Sequence, residues 1–197
     1  REIKVIPNFI DIEKYARKHN LCQGNMLAQD DEKIIVHISN FRPLKRIIDV
    51  LKIFEKINQK INSKLIMVGD GPDKKKAKDF LRKNNLKNKV IFLGKTSEVD
   101  EILCSSDLFL LPSEKESFGL AALEAMALKV PVISTNTGGL KDLNINGNSG
   151  YTSDIGDIDS MAKNAIKILS DDSLKKKYRI QAFENAKKYD IKTVIPL

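Results

Sequence analysis

The chain is poor in the residues that several kinds of chemistry require. Its 197 residues include no tryptophan, two histidines and two cysteines, and aromatic side chains make up only 6%. Cys22 and Cys104 have neither CxxC spacing nor a histidine cluster beside them, so no metal site and no thiol catalyst is indicated. Cys104 falls in an apolar, helix-like stretch, where a free thiol serves as a small core residue. Unpaired thiols fit a reducing, cytoplasmic compartment. No apolar run approaches the ~18 residues that cross a bilayer, and no signal-peptide pattern opens the chain. Repeats, low-complexity tracts and a dividing linker are also missing, which leaves one α/β-sized unit spanning 1–197. The apolar fraction of 42% suffices for a buried core and excludes a disordered chain. The chain opens on Arg1 rather than Met, which is expected of a fragment.

What the chain does have is positive charge: 34 Lys and Arg against 26 Asp and Glu, a net +8. The lysines are scattered over helix faces with few aromatics among them to stack bases, so nucleic acid is not an expected partner. The run Lys74-Lys75-Lys76 opens a helix-like stretch and reads as a solvated face. A small polyanionic ligand would also suit this field.

Short runs rich in Val, Ile and Leu at 34–38, 64–68, 90–93, 108–111 and 132–134 have the near-continuous apolar character of strands buried on both faces of a parallel sheet. A further strand-like stretch covers 3–7. Helical spacing covers 44–59, 73–84, 97–104 and 118–128, and two more helices, 159–169 and 173–188, close the chain. Residues 20–33 are polar and irregular, as in a loop. This β-α order specifies an α/β fold, a Rossmann-like doubly wound parallel sheet with right-handed crossovers. Ligands of such sheets sit beyond the carboxyl ends of the strands. The loops after Ile38, Val68, Leu93, Leu111 and Ser134 are therefore where a site is expected.

Three motifs bear on what such a site could hold. Gly69-Asp70-Gly71-Pro72 begins like a dinucleotide fingerprint, but Lys74 holds the place of the third glycine, so it reads as a tight strand-to-helix turn. Asp157-Ile158-Asp159 has the form of a metal-binding DxD, yet it stands directly before a helix, where Asp is a favoured N-cap. The third motif runs from Leu111 through Glu114, Glu116, Ser117, Phe118 and Gly119 into the alanine-rich segment at Leu120. It takes a buried strand through a charged loop into a helix start, whose free N–H groups and partial positive charge suit a phosphate. Glu124 lies one turn further on, and helical side chains tilt toward the amino end. Pattern alone leaves two readings of the acids: Glu116 and Glu124 reach a polyol on either side of a phosphate, or they are solvated charges along with Glu114.

Glu116 and Glu124 with seven residues between them, followed by Ala125-Met126-Ala127 and Val130-Pro131-Val132-Ile133, resemble the E-x7-E signature of glycosyltransferase family four. Val5–Asp11, Val68–Pro72, Phe92-Leu93-Gly94, Thr137-Gly138-Gly139 and Gly147–Tyr151 also fall in that family's order. The resemblance implies a retaining enzyme with two Rossmann-like domains (the GT-B fold). This chain would be the carboxyl-terminal, donor-binding domain, with the acceptor-binding domain outside it. His37–Arg46 and Ser113–Leu120 further resemble the branch of bacillithiol biosynthesis that transfers N-acetylglucosamine from its UDP form to L-malate. Most relatives place a Lys five residues after the Arg of a Gly-Arg pair, whereas Arg42 and Lys45 are three apart, so Arg42 and Arg46 both remain candidates for the second phosphate cation.

On this resemblance Arg42, Lys45 and Glu116 are the catalytic candidates. The two cations would act with N–H groups at Leu120 and Ala121 on the diphosphate, without a metal or other cofactor. Glu124 would hold the ribose, backbone at Lys95 would read the uracil edge, and Asn40, Ser117, Phe118 and Gly119 would complete the donor pocket. His37 reads as a packed, structural residue. The implied partners are a UDP-sugar and a small acceptor held mainly by the absent domain. Self-association of the full-length enzyme stays open, and the domain alone is expected to be inactive. Rival readings are a family-four transferase with a glycan or lipid acceptor, a sugar-nucleotide epimerase, and a non-enzymatic nucleotide-binding module.

Overall fold

Alternate residues of a strand point to opposite faces of its sheet, and the central strands of this chain are apolar in both alternations. The computed structural model describes residues 6–20, 22, 28, 29 and 31–196. The elements in order are α1 (Ile12–Asn20), β1 (Lys33–Ile38), α2 (Ile47–Asn58), β2 (Ser63–Val68), α3 (Lys74–Lys83), β3 (Val90–Gly94), α4 (Val99–Cys104) and β4 (Leu108–Leu111). There follow α5 (Leu120–Ala127), β5 (Val132–Thr135), α6 (Leu140–Leu143), β6 (Gly150–Ser153), α7 (Ile158–Leu169), α8 (Asp172–Ala186) and α9 (Ile191–Val194). The strands form one parallel sheet in the order β3-β2-β1-β4-β5-β6.

Ile35, Leu65, Met67, Leu108, Leu110 and Ile133 face α2, α3 and α7 in one core layer. Ile34, Val36, Ile66, Val68, Phe109 and Leu111 face α4 and α5 in the other. Each such side chain, fully buried, contributes about 1.5–3 kcal/mol, so both layers hold the sheet. Among the described residues no helix is long and apolar enough to cross a membrane.

The helix expected over 44–59 is interrupted. Pro43 opens a 3₁₀ turn, Pro43–Lys45, and Arg46 then takes a left-handed conformation (φ 49°) before α2 begins. The Arg46 carbonyl receives the N–H groups of Asp49 and Val50, and its guanidinium holds Asp49 at 2.5 Å. Besides the short helix α9, which follows the last segment read from the sequence, three elements fall outside the apolar-run pattern. The strand β6, Gly-Tyr-Thr-Ser, is an edge strand that lies along β5. The helix α1 is polar overall and buries Ile12. The third, α6, is a single turn. Of the strand-like stretch at 3–7, residues 3–5 lie outside the described residues, and Ile6 and Pro7 are in no regular element. Further on, Ile10 makes a parallel bridge to Asp190, with Ile10 N–H to the Tyr189 carbonyl at 3.0 Å and Ile191 N–H to the Ile10 carbonyl at 2.8 Å. Lys192 and Glu13 form an ion pair of 2.5 Å beside that bridge.

The cysteines are not the two separate thiols expected from spacing. They form a Cys22–Cys104 disulfide with Cα atoms 5.8 Å apart, because α1 packs on α4 and brings together positions far apart in sequence. A Lys18–Asp100 ion pair joins the same two helices. The Gly69–Pro72 segment is the tight turn that its sequence implied. At φ 116° a Cβ on Gly69 would overlap the Ser39 carbonyl, so only glycine lets the β2 turn pack under the β1 loop. Asp157 caps α7 by accepting the Ser160 N–H at 3.0 Å, and Asp159 pairs with Lys56 at 2.9 Å.

Candidate functional site

The strand order reverses between β1 and β4, so the loops leaving their carboxyl ends run in opposite directions and leave a crevice. A cleft of about 250 Å³ opens there, lined by Asn40, Lys45, Glu116, Gly119, Leu120 and Ala121 over a floor of Ile38 and Leu111. A larger hollow of about 460 Å³ lies elsewhere, along Gly71, Pro72 and the basic face of α3. Apart from that turn its wall is one solvated helix, whereas the smaller cleft gathers side chains and a helix start from separate loops.

The β1 wall is fixed from beneath. His37 is fully buried, with Nδ1 2.8 Å from the Leu110 carbonyl and Nε2 2.8 Å from Ser39 Oγ. A carbonyl only accepts, so Nδ1 carries the proton and Nε2 accepts the Ser39 hydroxyl. Ser39 Oγ in turn accepts the Phe41 N–H at 3.3 Å. Burial pushes the His37 pKa down to about 4, with the nearby Lys45 charge acting the same way and the Leu110 carbonyl opposing. The ring is therefore a neutral strut between β4 and the cleft. Phe41 holds φ 41°, and its carbonyl takes the Asp73 N–H at 3.0 Å. Left-handed conformations at Phe41 and Arg46 cost about 1–2 kcal/mol each, and both flank the turn that carries Lys45.

Lys45 Nζ bonds Glu116 Oε2 across the cleft, and both side chains are largely shielded from water. Arg46 is committed to Asp49 and to Glu114, the latter at 3.4 Å. Arg42 is exposed and makes no ion pair among the described residues, so of the two candidate arginines it is the one with an unengaged charge. The Glu116 loop rests on Gly138 and Gly139. Gly139 N–H reaches the Glu116 carbonyl at 3.2 Å, Thr137 Oγ1 reaches the Glu114 carbonyl at 3.1 Å, and Gly138 sits at φ 50°.

The helix α5 starts at Gly119, which has no side chain to cap it. The N–H groups of Ala122 and Leu123 turn back to the Gly119 carbonyl at 2.9 and 3.0 Å, while Leu120 and Ala121 line the cleft at the helix start, where N–H groups lack intrahelical partners. Glu124 lies one turn on and is half-buried. Burial raises its pKa, against the Tyr15 hydrogen bond and the Lys14 and Lys18 charges. The Tyr15 hydroxyl, from α1, donates to Glu124 Oε1 at 3.2 Å.

The other expected residues are not gathered into the cleft. Ser117 is exposed, and Phe118 turns to the carboxyl-terminal segment, where its ring meets Tyr189 edge-on at 5.3 Å. Lys95 is exposed on the loop after β3, beside the β2 turn, where Gly69 N–H bonds the Gly94 carbonyl at 2.7 Å. Among the described residues no three His, Cys, Asp or Glu side chains converge as metal ligands. Sequence reasoning missed Ser39 and Tyr15. A histidine two residues before a serine at a strand end was a usable signal for the first; nothing in the sequence near Tyr15 points to Glu124.

Residues 24–189 match the family described as glycosyl transferases group 1. The chain is 41% identical over 175 residues to N-acetyl-alpha-D-glucosaminyl L-malate synthase of Bacillus anthracis, covering 88% of this chain and 46% of that protein. It is 37% identical over 119 residues to 2-deoxystreptamine N-acetyl-D-glucosaminyltransferase of Niallia circulans, covering 59% of this chain and 31% of that protein. Its fold overlays a TarM variant from S. aureus, crystallised with fondaparinux, alpha-GlcNAc-glycerol and UDP, with a TM-score of 0.84 and 27% identity. That overlay covers 100% of this chain and 38% of TarM. The chain thus spans less than half the length of each of these relatives.

Proposed function

The chain belongs to the group 1 glycosyl transferases, and from that premise we propose that it is the donor-binding half of a UDP-sugar-dependent transferase. Its fold is that of the carboxyl-terminal portion of the two-domain GT-B enzymes. The observation that carries the proposal is the convergence of Lys45, Glu116 and the uncapped start of α5 on one crevice at the strand-order reversal. In this reading the diphosphate lies against the Leu120 and Ala121 N–H groups, Lys45 and Arg42 neutralise it, and Glu124 holds the ribose. Glu116 accepts a hydroxyl of the donor sugar. Preorganised cations and N–H dipoles of this kind stabilise the charge that grows on a leaving diphosphate, at about 1.5–3 kcal/mol per charge-assisted bond.

The reaction is transfer with retained configuration. The acceptor hydroxyl oxygen bonds to the anomeric carbon on the face from which UDP departs. The carbon–oxygen bond to the β-phosphate breaks with its electron pair on that phosphate, which also takes the hydroxyl proton. Lys45 faces two partners in turn: Glu116 while the cleft is empty, and the diphosphate once it arrives. The donor is UDP-N-acetylglucosamine and the acceptor L-malate, a reading supported by the similarity to the B. anthracis synthase. The acceptor is held mainly by a second domain, so this chain alone binds donor and transfers nothing. A cytoplasmic location belongs to the same reading by family alone, since the Cys22–Cys104 disulfide removes unpaired thiols as an argument for it.

Calorimetry with UDP and UDP-N-acetylglucosamine tests the site. UDP binds in EDTA as well as in magnesium. Glu124→Ala weakens both ligands about tenfold or more, whereas Glu116→Ala leaves UDP intact and removes only the increment due to the sugar. Strict dependence on a divalent ion, or equal losses of UDP binding from both variants, would overturn the proposal. An acceptor panel with the second domain supplied tests the L-malate assignment separately; preference for a glycan or lipid would refute it.

A further inference from the structure

The helix α1 contributes one polar contact to the neighbourhood of the cleft, and that contact is made to an acid rather than to solvent. Tyr15 Oη lies 3.2 Å from Glu124 Oε1, between residues 109 positions apart in sequence. The tyrosine ring packs against the α5 core layer, and burial together with the Glu124 charge raises the phenol pKa, so Tyr15 stays protonated and acts as donor. Glu124 Oε2 makes no hydrogen bond among the described residues. A half-buried carboxylate with one oxygen anchored and the other open is held to a single orientation.

The helix that carries Tyr15 is itself tied down. Cys22 is bonded to Cys104 on α4, Lys18 pairs with Asp100 on the same helix, Glu13 pairs with Lys192, and Ile12 is buried. These contacts hold α1 on both sides of Tyr15, so its hydroxyl is presented by a fixed helix, as a preorganised site requires.

We propose that Tyr15 is a positioning residue for nucleotide recognition: it orients the Glu124 carboxylate so that Glu124 accepts both ribose hydroxyls, and it thereby sets the preference for ribose over 2′-deoxyribose. This rests on Glu124 as the ribose-binding acid. A carboxylate accepting from two adjacent hydroxyls needs both its oxygens aimed, and a free rotor spends part of its population aimed elsewhere.

The test is calorimetry with UDP, 2′-deoxy-UDP and pyrophosphate on the wild-type chain, Tyr15→Phe and Glu124→Gln. Tyr15→Phe keeps the ring and its packing and removes only the hydroxyl. It is expected to weaken UDP by about two- to tenfold, the worth of one hydrogen bond, while 2′-deoxy-UDP loses less and pyrophosphate is unchanged. Glu124→Gln is expected to abolish most of the ribose preference. Should Glu124→Gln keep that preference, the reading of Glu124 is wrong and the role of Tyr15 falls with it. Should Glu124→Gln lose it while Tyr15→Phe weakens UDP and 2′-deoxy-UDP by the same factor, or neither, Tyr15 is a packing residue only and the inference is overturned.

Discussion

Replacing Gly138 by alanine separates the support of the Glu116 loop from the chemistry of Glu116. The residue sits at φ 50°, and a Cβ there would overlap the Glu116 carbonyl oxygen, with the carbonyl carbon at 3.0 Å. The left-handed conformation costs alanine about 1–2 kcal/mol, and forcing one methyl group into a filled space costs about 1–3 kcal/mol more. Gly139 lies as close to the loop, where a Cβ built on it would fall 2.5 Å from the Ser117 carbonyl oxygen and 2.7 Å from Phe118 Cα. The loop must therefore move. A total of about 2–5 kcal/mol corresponds to a fall in melting temperature of about 5–20 °C for a domain of this size. Calorimetric melting reads that fall, and titration reads the function. Below the new midpoint, Gly138→Ala should bind UDP nearly as the wild type does while losing the increment contributed by the donor sugar. A variant that melts with the wild type and keeps the full sugar increment would refute the claim that these glycines seat Glu116.

Other expectations follow from the same geometry. The His37 pKa is about 4 in the fold against an ordinary 6.5, so unfolding takes up a proton between those values. Stability present above pH 6.5 is lost as pH falls toward 4, by about 3 kcal/mol; urea melts of wild type and His37→Asn across that range should show a flatter dependence in the variant, and parallel curves would count against the buried neutral ring. The Cys22–Cys104 disulfide closes a separation of 82 residues, worth about 4.5 kcal/mol on chain-entropy grounds, so dithiothreitol should lower the melting temperature by roughly 10 °C or more; a melt indifferent to reductant would contradict this. Lys45→Ala should weaken UDP and pyrophosphate alike by about tenfold or more, and Arg46→Ala much less, because Arg46 is already engaged by Asp49 and Glu114. Equal losses would make Arg46 a phosphate cation.

The doubly wound sheet was legible because its strands are buried on both faces and so are apolar at almost every position. Val132–Thr135 and Leu108–Leu111 announce themselves by composition alone. The edge strand β6 does not, since Gly150–Ser153 buries only its two ends and owes its conformation to β5. The interruption at Arg46 was hidden for a different reason: apolar spacing from Leu44 onward is helical, and only the proline at 43 hints that the first turn is not part of the helix. In the site, Lys45 and Glu116 were identifiable, but their pairing was not, because it depends on two loops meeting from strands adjacent in space and far apart in sequence. Phe118 stands within the signature, yet its ring is drawn to Tyr189 by a contact that exists only once the chain has folded back on itself. The disulfide was invisible for the same reason, as spacing along a chain says nothing about which helices lie side by side.

The Ile10–Asp190 bridge bears on how the fold answers to force. The two segments run parallel, so a pull that draws the chain apart through its opposite ends slides them past each other rather than peeling them apart. Both hydrogen bonds, Ile10 N–H to Tyr189 and Ile191 N–H to Ile10, then carry load at once, with the Lys192–Glu13 ion pair beside them. Bonds loaded together must break together, whereas a zipper opens one bond at a time. The clasp therefore acts as a mechanical latch on a sheet whose outermost strands each have a neighbour on one side only. Tension drawn between Ile10 and Ile191 loads this latch before it reaches the sheet.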